Sequence, residues 1–232
     1  MTGALTAQTA LHRAVWAALD SVLDPELDEP VTDLGFVAIC SADRDGRVVV
    51  RLRLPTYFCA PNFAFLMVAD ADDAVRAVPG VSEVDIKLTD HFAADTINEG
   101  VAAGKGFVGS FQGEAVAELD SLRADFLRRA VLAGTDRVLR GLDRSTVELT
   151  TLTLGDLPRS PELDRLRDRR RLLGLPCSDG DPLLIDPADG SPVPAAGLRR
   201  HLGIARVTRV GQEANSGVCR GMLRARYRED EG

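Results

Sequence analysis

The sequence is poor in aromatic residues and in the side chains that most often bind metals. Of its 232 residues, 5% are aromatic, three are histidines and four are cysteines. The cysteines at positions 40, 59, 177 and 219 are widely scattered, which excludes a small secreted disulfide framework. Cys177, Cys219 and His201 have no Cys-x-x-Cys spacing, so they are a weak metal signal and we expect them to be structural and dispensable.

Long apolar runs and an excess of basic residues are also missing. No apolar run is long enough to cross a membrane, and residues 1–8 lack the basic and apolar regions of a secretory signal. The net charge is −7, which argues against a dedicated nucleic-acid binder. The arginine-rich run at 165–171 is interleaved with acid and is interpreted as a solvated helix face. We therefore expect a cytoplasmic protein that binds neither nucleic acid nor membrane.

The first part of the chain has the pattern of a compact α+β unit. A helix is predicted at 9–23, a hairpin of strands at 36–40 and 47–54, a second helix at 61–78 and a third strand at 81–88. Residues 47–54 alternate between valine or leucine and polar residues, chiefly arginine, which is typical of a strand with one buried face. The predicted fold is a small sheet with helices on one face, in the order helix, hairpin, helix, strand.

The rest of the chain is predicted to form a helical extension and a small C-terminal α/β module. A long amphipathic helix is expected at 113–141, and its apolar stripe favours a homodimer or larger assembly. The further elements are strands at 146–154, 183–185, 204–210 and 217–227 and helices at 160–173 and 195–202. This gives predicted domains at 1–92, 93–144 and 145–232.

The most chemically suggestive stretch is 54–62, where a strand ends and a helix begins. Pro61 suits the first helical position, because its missing N–H would be unpaired there anyway. Cys59 would then precede a helix N-terminus, where free N–H groups and the helix dipole favour a thiolate. The alternative is that Cys59 is a small buried hydrophobe.

Two further groups of residues are candidate metal ligands. The acidic loop at 24–35 holds Asp24 and Glu26, although it lacks calcium-loop spacing, which favours the alternative of a solvated loop with caps. If residues 90–101 are helical, His91, Asp95 and Glu99 share one face at i, i+4 and i+8, and this set suits iron, manganese or zinc. The alternative is a polar helix face with Asp90 as its N-cap.

Several motifs occur together in a familiar order. They are D-P-E at 24–26, V-T-D-L-G-F-V at 31–37, the hairpin, Thr56 with Cys59 and Pro61, and V-P-G-V at 78–81. This order resembles the PaaD/SufT-like domain family of iron–sulfur and metal-centre assembly factors. The resemblance covers about residues 9–92 and implies that Cys59 is the functional residue, with Asp24 and Glu26 in the family's acidic loop.

The segment after the third strand departs from that family. Thr89-Asp90-His91-Phe92 stands where a Pro-x-Trp segment is common, and a long extension follows. In this form the chain is similar to assembly-domain proteins that accompany bacterial multicomponent di-iron monooxygenases. The resemblance thus implies a client metalloenzyme subunit as partner.

These observations support a maturation factor that is not an enzyme. Iron or an iron–sulfur cluster would bind at the Cys59 loop, with Thr56, Tyr57 and Phe58 contacting the client. One alternative is a metal-free adaptor that binds a monooxygenase subunit. Another is an enzyme with Cys59 as nucleophile and His91 as its base.

Overall fold

The computed structural model describes residues 2–115, 117–142 and 148–227. The chain forms two compact units. Unit 1 comprises residues up to 119 together with those from 215 onward, and unit 2 comprises residues 120–214. The predicted domain boundaries at 92 and 144 stay a prediction.

Unit 1 is built on a three-stranded sheet. Its elements are α1 (Thr2–Asp20), β1 (Leu23–Asp24), β2 (Glu29–Pro30), β3 (Val37–Ala42), β4 (Arg47–Arg53), α2 (Pro61–Arg76) and β5 (Glu83–Thr89). The strand order is β3-β4-β5, with β3 antiparallel and β5 parallel to the central strand β4. The two-residue strands β1 and β2 pair separately and close the acidic loop into a tight hairpin. The predicted α+β class is confirmed.

The alternating pattern of β4 determines which face of the sheet is covered. Val48, Val50 and Leu52 are fully buried, as their spacing predicts. They pack in one core with the buried sides of α1 and α2. On the opposite face, the Arg51 guanidinium pairs with the Asp85 carboxylate on β5 at 2.5 Å. The sheet therefore has one apolar face under helices and one face lined by ion pairs.

Two short helices follow β5, namely α3 (Ala94–Ala102) and α4 (Gly106–Ser110). Ile97 of α3 is fully buried in the unit 1 core. The Asn98 side chain donates to the Leu88 carbonyl at 3.0 Å and accepts from the Leu88 N–H at 2.8 Å. Asn98 thereby satisfies the backbone of β5 and fixes α3 against the end of that strand.

The last element is a single helix, α7 (Leu198–Arg226), whose residues up to 214 lie in unit 2 and from 215 in unit 1. The predicted strands at 204–210 and 217–227 are therefore wrong. β-branched residues suggested strands, yet Val207 and Val218 lie on the exposed side of this helix. Its buried side carries polar residues, namely Arg209, Gln212 and Ser216.

Unit 2 packs α5 (Asp120–Arg140), α6 (Pro161–Leu172) and the first part of α7 around a leucine-rich core. The predicted helix at 160–173 is confirmed, with Ser160 as N-cap accepting from the Leu163 N–H at 3.2 Å. The Arg209 guanidinium of α7 pairs with the Asp136 carboxylate of α5 at 2.6 Å, and both side chains are buried.

The predicted strands of the C-terminal module need correction. Among the described residues of 148–214, only isolated bridges form, joining Thr153 to Pro182 and Ile185 to Pro192. The strand predicted at 146–154 falls partly outside the described residues, and its described part contains the 3-10 turn Leu149–Thr151. The described part of this module therefore contains loops that side-chain hydrogen bonds hold in place, and not the predicted sheet.

The apolar stripe of α5 is covered within unit 2. Phe126, Val131 and Leu139 are buried, and Val131 and Leu139 pack in the unit's own core. The helix begins at Asp120 rather than at 113, and Val116 of the predicted stripe lies outside the described residues. Because this stripe is covered by its own unit, it gives no reason for self-association, and the homodimer stays a prediction.

The arginine-rich run of α6 is only partly a solvated face, because one of its arginines is buried and holds a neighbouring loop. Arg170 is fully buried and donates to the carbonyls of Pro176 and Pro182 at 3.2 and 2.9 Å, and to that of Leu183. Burial lowers the pKa of this guanidinium to about 10. One side chain thus holds the loop at 176–183 against α6.

We expect Arg170→Lys to destabilise unit 2 by about 3 kcal/mol or more, because an ammonium cannot reach three separate carbonyls and each buried acceptor left unpaired costs about 1–3 kcal/mol. Denaturant unfolding and amide hydrogen exchange at 176–183 would measure the effect. The control is Arg171→Lys, since Arg171 is exposed and pairs only with its helix neighbour Asp168. Equal stability of the two variants would contradict this role for Arg170.

Candidate functional site

The loop before α2 presents a half-buried cysteine. Helix α2 begins at Pro61 with Ala60 as N-cap, so Cys59 immediately precedes the helix as predicted. The Cys59 sulfur lies 3.3 Å from the Thr56 hydroxyl oxygen. That hydroxyl also accepts from the Phe58 N–H at 3.2 Å. Thr56 therefore shapes the loop and contacts the thiol.

His91 holds the backbone of this loop. Its Nδ1 accepts from the Ala93 N–H at 3.2 Å, so Nε2 carries the proton and donates to the Cys59 carbonyl at 2.7 Å. The side chain is only 5% exposed, and burial, with a smaller effect of Arg226, lowers its pKa. His91 is thus a neutral residue whose two nitrogens are both engaged, and it positions Cys59.

Asp95 and Glu99 do not join His91 on one helix face. Helix α3 begins at Ala94 with Ala93 as N-cap, so His91 precedes it, and Asp90 is not the cap that the sequence suggested. Both carboxylates are exposed. Across residues 2–115, 117–142 and 148–227, no three His, Cys, Asp or Glu side chains form a group that would hold a metal. The structure therefore contains no preformed three-ligand site in that part of the chain.

The acidic loop is ordered by a buried carboxylate. Asp24 Oδ1 accepts from the backbone N–H groups of Glu26 and Leu27, both at 2.9 Å. Burial raises the pKa of Asp24 to about 6, with smaller contributions from Glu26 and Glu29. Glu26 accepts from the Asn215 side chain on α7 at 3.2 Å. Asp24 and Glu26 were predicted as metal ligands. Their hydrogen bonds stabilise the acidic loop and its contact with α7.

Cys219, which the sequence predicted to be structural, lies on the part of α7 that belongs to unit 1. It is half-buried and packs against the same core as Cys59. The pKa of its thiol is raised to about 11, first by burial and then by the negative charges of Asp24, Cys59 and Glu26. Burial in the unit 1 core therefore disfavours the thiolate form of Cys219.

Three exposed aromatic rings adjoin Cys59. Tyr57, Phe58 and Phe92 are 47, 76 and 50% exposed. Their ring centroids are 5.0 Å apart for Tyr57 and Phe58 and 6.1 Å apart for Phe58 and Phe92. The Phe92 N–H donates to the Tyr57 carbonyl at 3.2 Å, which ties the two loops together. We call these three residues the aromatic patch. Phe92 was not predicted to belong to it.

Comparison with known proteins finds a family that the first part of the chain matches. Residues 12–86 match the model of the family described as "Iron-sulfur cluster assembly protein". This segment is a member of that family. Iron–sulfur cluster carrier proteins of Mycobacterium bovis and Mycobacterium tuberculosis are 36% identical to this chain over 78 residues, covering 34% of this chain and 20% of each carrier. The chain thus matches only a fifth of the length of those carriers.

Two further proteins match a similar share of the chain. An uncharacterized protein of Methanocaldococcus jannaschii is 29% identical over 82 residues, which is 35% of this chain and 84% of that protein. The crystal structure of a domain of unknown function, DUF59, from Bacillus anthracis has a TM-score of 0.34 and 27% identity, covering 37% of this chain and 79% of that one.

The assembly-family segment contains Cys59, Asp24 and Glu26, whereas His91, Phe92 and Cys219 lie beyond it. The association with di-iron monooxygenases that the sequence suggested finds no counterpart in these matches. In the part of the chain that the structure describes, no helix is both long and apolar enough to span a membrane.

The raised pKa of Asp24 predicts that the stability of the fold depends on pH. Its folded pKa of about 6 exceeds its ordinary value of 3.8, so the carboxyl stabilises the fold below about pH 4, and this contribution is lost as the pH rises through 6. Asparagine keeps the Oδ1 acceptor without the buried charge. We expect Asp24→Asn to raise the unfolding free energy of the metal-free protein by about 1–3 kcal/mol at pH 7.5.

Urea unfolding at pH 4 and at pH 7.5 tests this prediction. The gain should be much smaller at pH 4, where the folded carboxyl holds its proton and the unfolded one, with its pKa of 3.8, is about 40% protonated. Asp33→Asn, an exposed position in the same loop, is the control and should change little at either pH. A gain that is the same at both pH values would show that the buried charge is not its cause.

Proposed function

We propose that this protein is a maturation factor that takes up iron or an iron–sulfur cluster at Cys59 and passes it to a client metalloenzyme. The position of Cys59 carries the proposal. Its half-buried thiol stands at the start of α2, on a loop fixed by Thr56 and His91, and beside the exposed aromatic patch. Family membership of residues 12–86 supports the same role.

The donor chemistry fits a cargo that is handed on. A thiolate is a ligand of choice for iron–sulfur clusters and for soft or borderline metal ions. The described side chains provide fewer than the three or four donors of a closed structural site. An incomplete set leaves positions at which the acceptor's ligands can replace those of the carrier. Here the metal or cluster is the substrate of the process rather than a resident cofactor.

His91 argues against the enzymatic alternative. A base for a cysteine nucleophile needs a free ring nitrogen directed at the sulfur. In this structure Nε2 donates to the Cys59 carbonyl and Nδ1 accepts from Ala93. We therefore keep a non-enzymatic role, acting in the cytoplasm, with a multicomponent di-iron monooxygenase as the proposed client.

The metal-free adaptor remains the second candidate because of the aromatic patch. Exposed aromatic rings in contact with one another are enriched at protein interfaces. Such a patch can bind a client subunit whether or not Cys59 carries metal. The maturation factor requires the Cys59 thiolate for its function, whereas the metal-free adaptor does not.

We expect Cys59→Ser to bind iron at least about 10–100-fold more weakly than the parent. Loss of an outer-shell partner alone weakens metal binding by about that factor. Untagged, reduced protein would be incubated without oxygen with ferrous iron and sulfide, desalted, and assayed for iron, sulfide and visible absorption. Cys177→Ser, in unit 2, is the matched control and should load like the parent.

Co-expression with the client separates the two candidates. The maturation factor requires that Cys59→Ser leave the client without iron and inactive. Full client activity with the serine variant, at normal expression, would defeat the proposal and favour the adaptor.

The aromatic patch predicts a defect in transfer without a defect in loading. Phe58→Ser should load iron normally, because the ring is exposed and is not a ligand. It should slow transfer to the client about fivefold or more, as loss of an interface aromatic costs more than about 1 kcal/mol. Ile39→Ser, an exposed apolar residue on β3, is the control. Equal transfer by both variants would place the client elsewhere.

A further inference from the structure

The exposed side of α7 carries a continuous row of apolar residues, where a surface helix is ordinarily polar. Exposed residues along this side alternate at spacings of three and four, which is the pattern of a heptad seam that faces another helix. They are Ile204, Val207, Gly211, Ala214, Val218, Gly221 and Ala225. We call these residues the α7 seam. None of them is charged, in a chain of which 27% is charged.

The larger side chains of the α7 seam are open to solvent. Ile204, Val207 and Val218 are 44, 74 and 59% exposed, and Val210 and Met222 at the edges of the seam are also exposed. The residues by which α7 packs within the chain lie on the other side of the helix. Single apolar residues on a surface need no explanation, but a contiguous row of them marks an interaction surface.

The glycines of α7 indicate that a second helix approaches this side closely. Gly203, Gly211, Gly217 and Gly221 all have negative φ angles. A Cβ added to any of them would meet no neighbouring side chain or loop within 4 Å in the part of the chain that the structure describes. Glycine disfavours a helix interior, because it loses more conformational freedom on folding than any other residue. Neither the backbone conformation nor packing within the chain accounts for these glycines, whereas close approach of another backbone does.

We propose that the α7 seam is a self-association surface, on which two copies of the chain pair their α7 helices in antiparallel orientation. The seam offers no charged side chain with which a charged partner could pair. Its complement is therefore another uncharged helix face with small residues, and α7 itself supplies one. A closed two-fold pair requires such a self-complementary surface.

An antiparallel pair matches the sizes of the side chains along the seam. When Val207 of one copy lies opposite Val218 of the other, helical spacing places Ile204 opposite Gly221. The large side chain then fills the space beside the glycine, and by symmetry each contact occurs twice. The small residues at the centre of the seam meet there, which lets the two helix axes approach. In a parallel pair each glycine would lie opposite itself and leave a gap.

The length of the seam suits a reversible dimer. Between residues 204 and 225 it extends about 32 Å, at about 1.5 Å of rise per residue. Two helix faces of this length bury on the order of 1,000 Å² in total, which is the lower end for a specific interface. We therefore expect the dimer to form with rising protein concentration rather than to be permanent.

A charge introduced into the seam tests the contact. Sedimentation velocity of the reduced, metal-free, full-length protein, from low to high micromolar concentration, should show a mass that rises from 24.9 kDa toward twice that value. Val207→Glu should weaken the dimer about tenfold or more, because it buries an unpaired carboxylate. Ile39→Glu, the same change at an exposed residue of β3, is the control and should dimerise like the parent.

A second charge tests the orientation. The double variant Val207→Glu with Val218→Lys places opposite charges across an antiparallel pair and should regain most of the lost affinity. A parallel pair would instead place like charges opposite each other and stay weak. Gly211→Leu adds an independent test, since leucine favours the helix itself but would hold the two axes apart. It should weaken the dimer while circular dichroism shows no loss of helix.

The outcomes do not depend on the proposed function, because no metal or client is present. A parent that stays monomeric at the highest concentration would overturn the inference and leave the seam to a different partner. Equal dimerisation of the parent and Val207→Glu would also overturn it, by placing the contact elsewhere. A double variant as weak as Val207→Glu would reject the antiparallel pairing. Loss in the single variant and recovery in the double variant would establish it.

Discussion

The hydrogen bond from His91 Nε2 to the Cys59 carbonyl links the two loops on which the site depends. It is 2.7 Å long and part-buried, and Ala93 fixes the tautomer by donating to Nδ1. If His91 turned away, two buried nitrogens and a carbonyl would lose their partners at once. This cost keeps Cys59 in one place, although it lies on a loop. It also places Phe92, the next residue, beside Tyr57 and Phe58.

A rigid loop beside a destabilising carboxylate is a reasonable arrangement for a site that binds a cation. Asp24 is held by two backbone N–H groups yet buried enough for its pKa to rise to about 6. At neutral pH the fold therefore contains a buried carboxylate charge. A neutral amide at the same position would destabilise the fold less. Natural proteins accept such local costs mainly where function requires them.

The sequence predicted those parts of the molecule whose burial follows hydrophobic spacing. The β4 alternation, the Pro61 start of α2 and the Ser160 cap of α6 are all confirmed, since each depends on neighbours along the chain. Helix α7 was misassigned because polar residues occupy much of its buried side and its exposed side carries valines. Burial of Arg209 depends on pairing with Asp136, 73 residues away, and no local pattern reveals it.

The candidate site was likewise predicted where it depends on local motifs and missed where it depends on distant contacts. Cys59 and Asp24 were found from local motifs, whereas the contact between Phe92 and Phe58 and the hydrogen bond from His91 to Cys59 depend on how the loop after β5 packs. The segment that matches the family contains Cys40, Cys59 and the acidic loop, and His91 and Phe92 lie beyond it. A carrier must hold its cargo tightly enough to exclude water and loosely enough to release it. A single thiolate on a loop fixed by Thr56 and His91 suits such a cargo, because the described side chains leave positions at which the acceptor's ligands can bind.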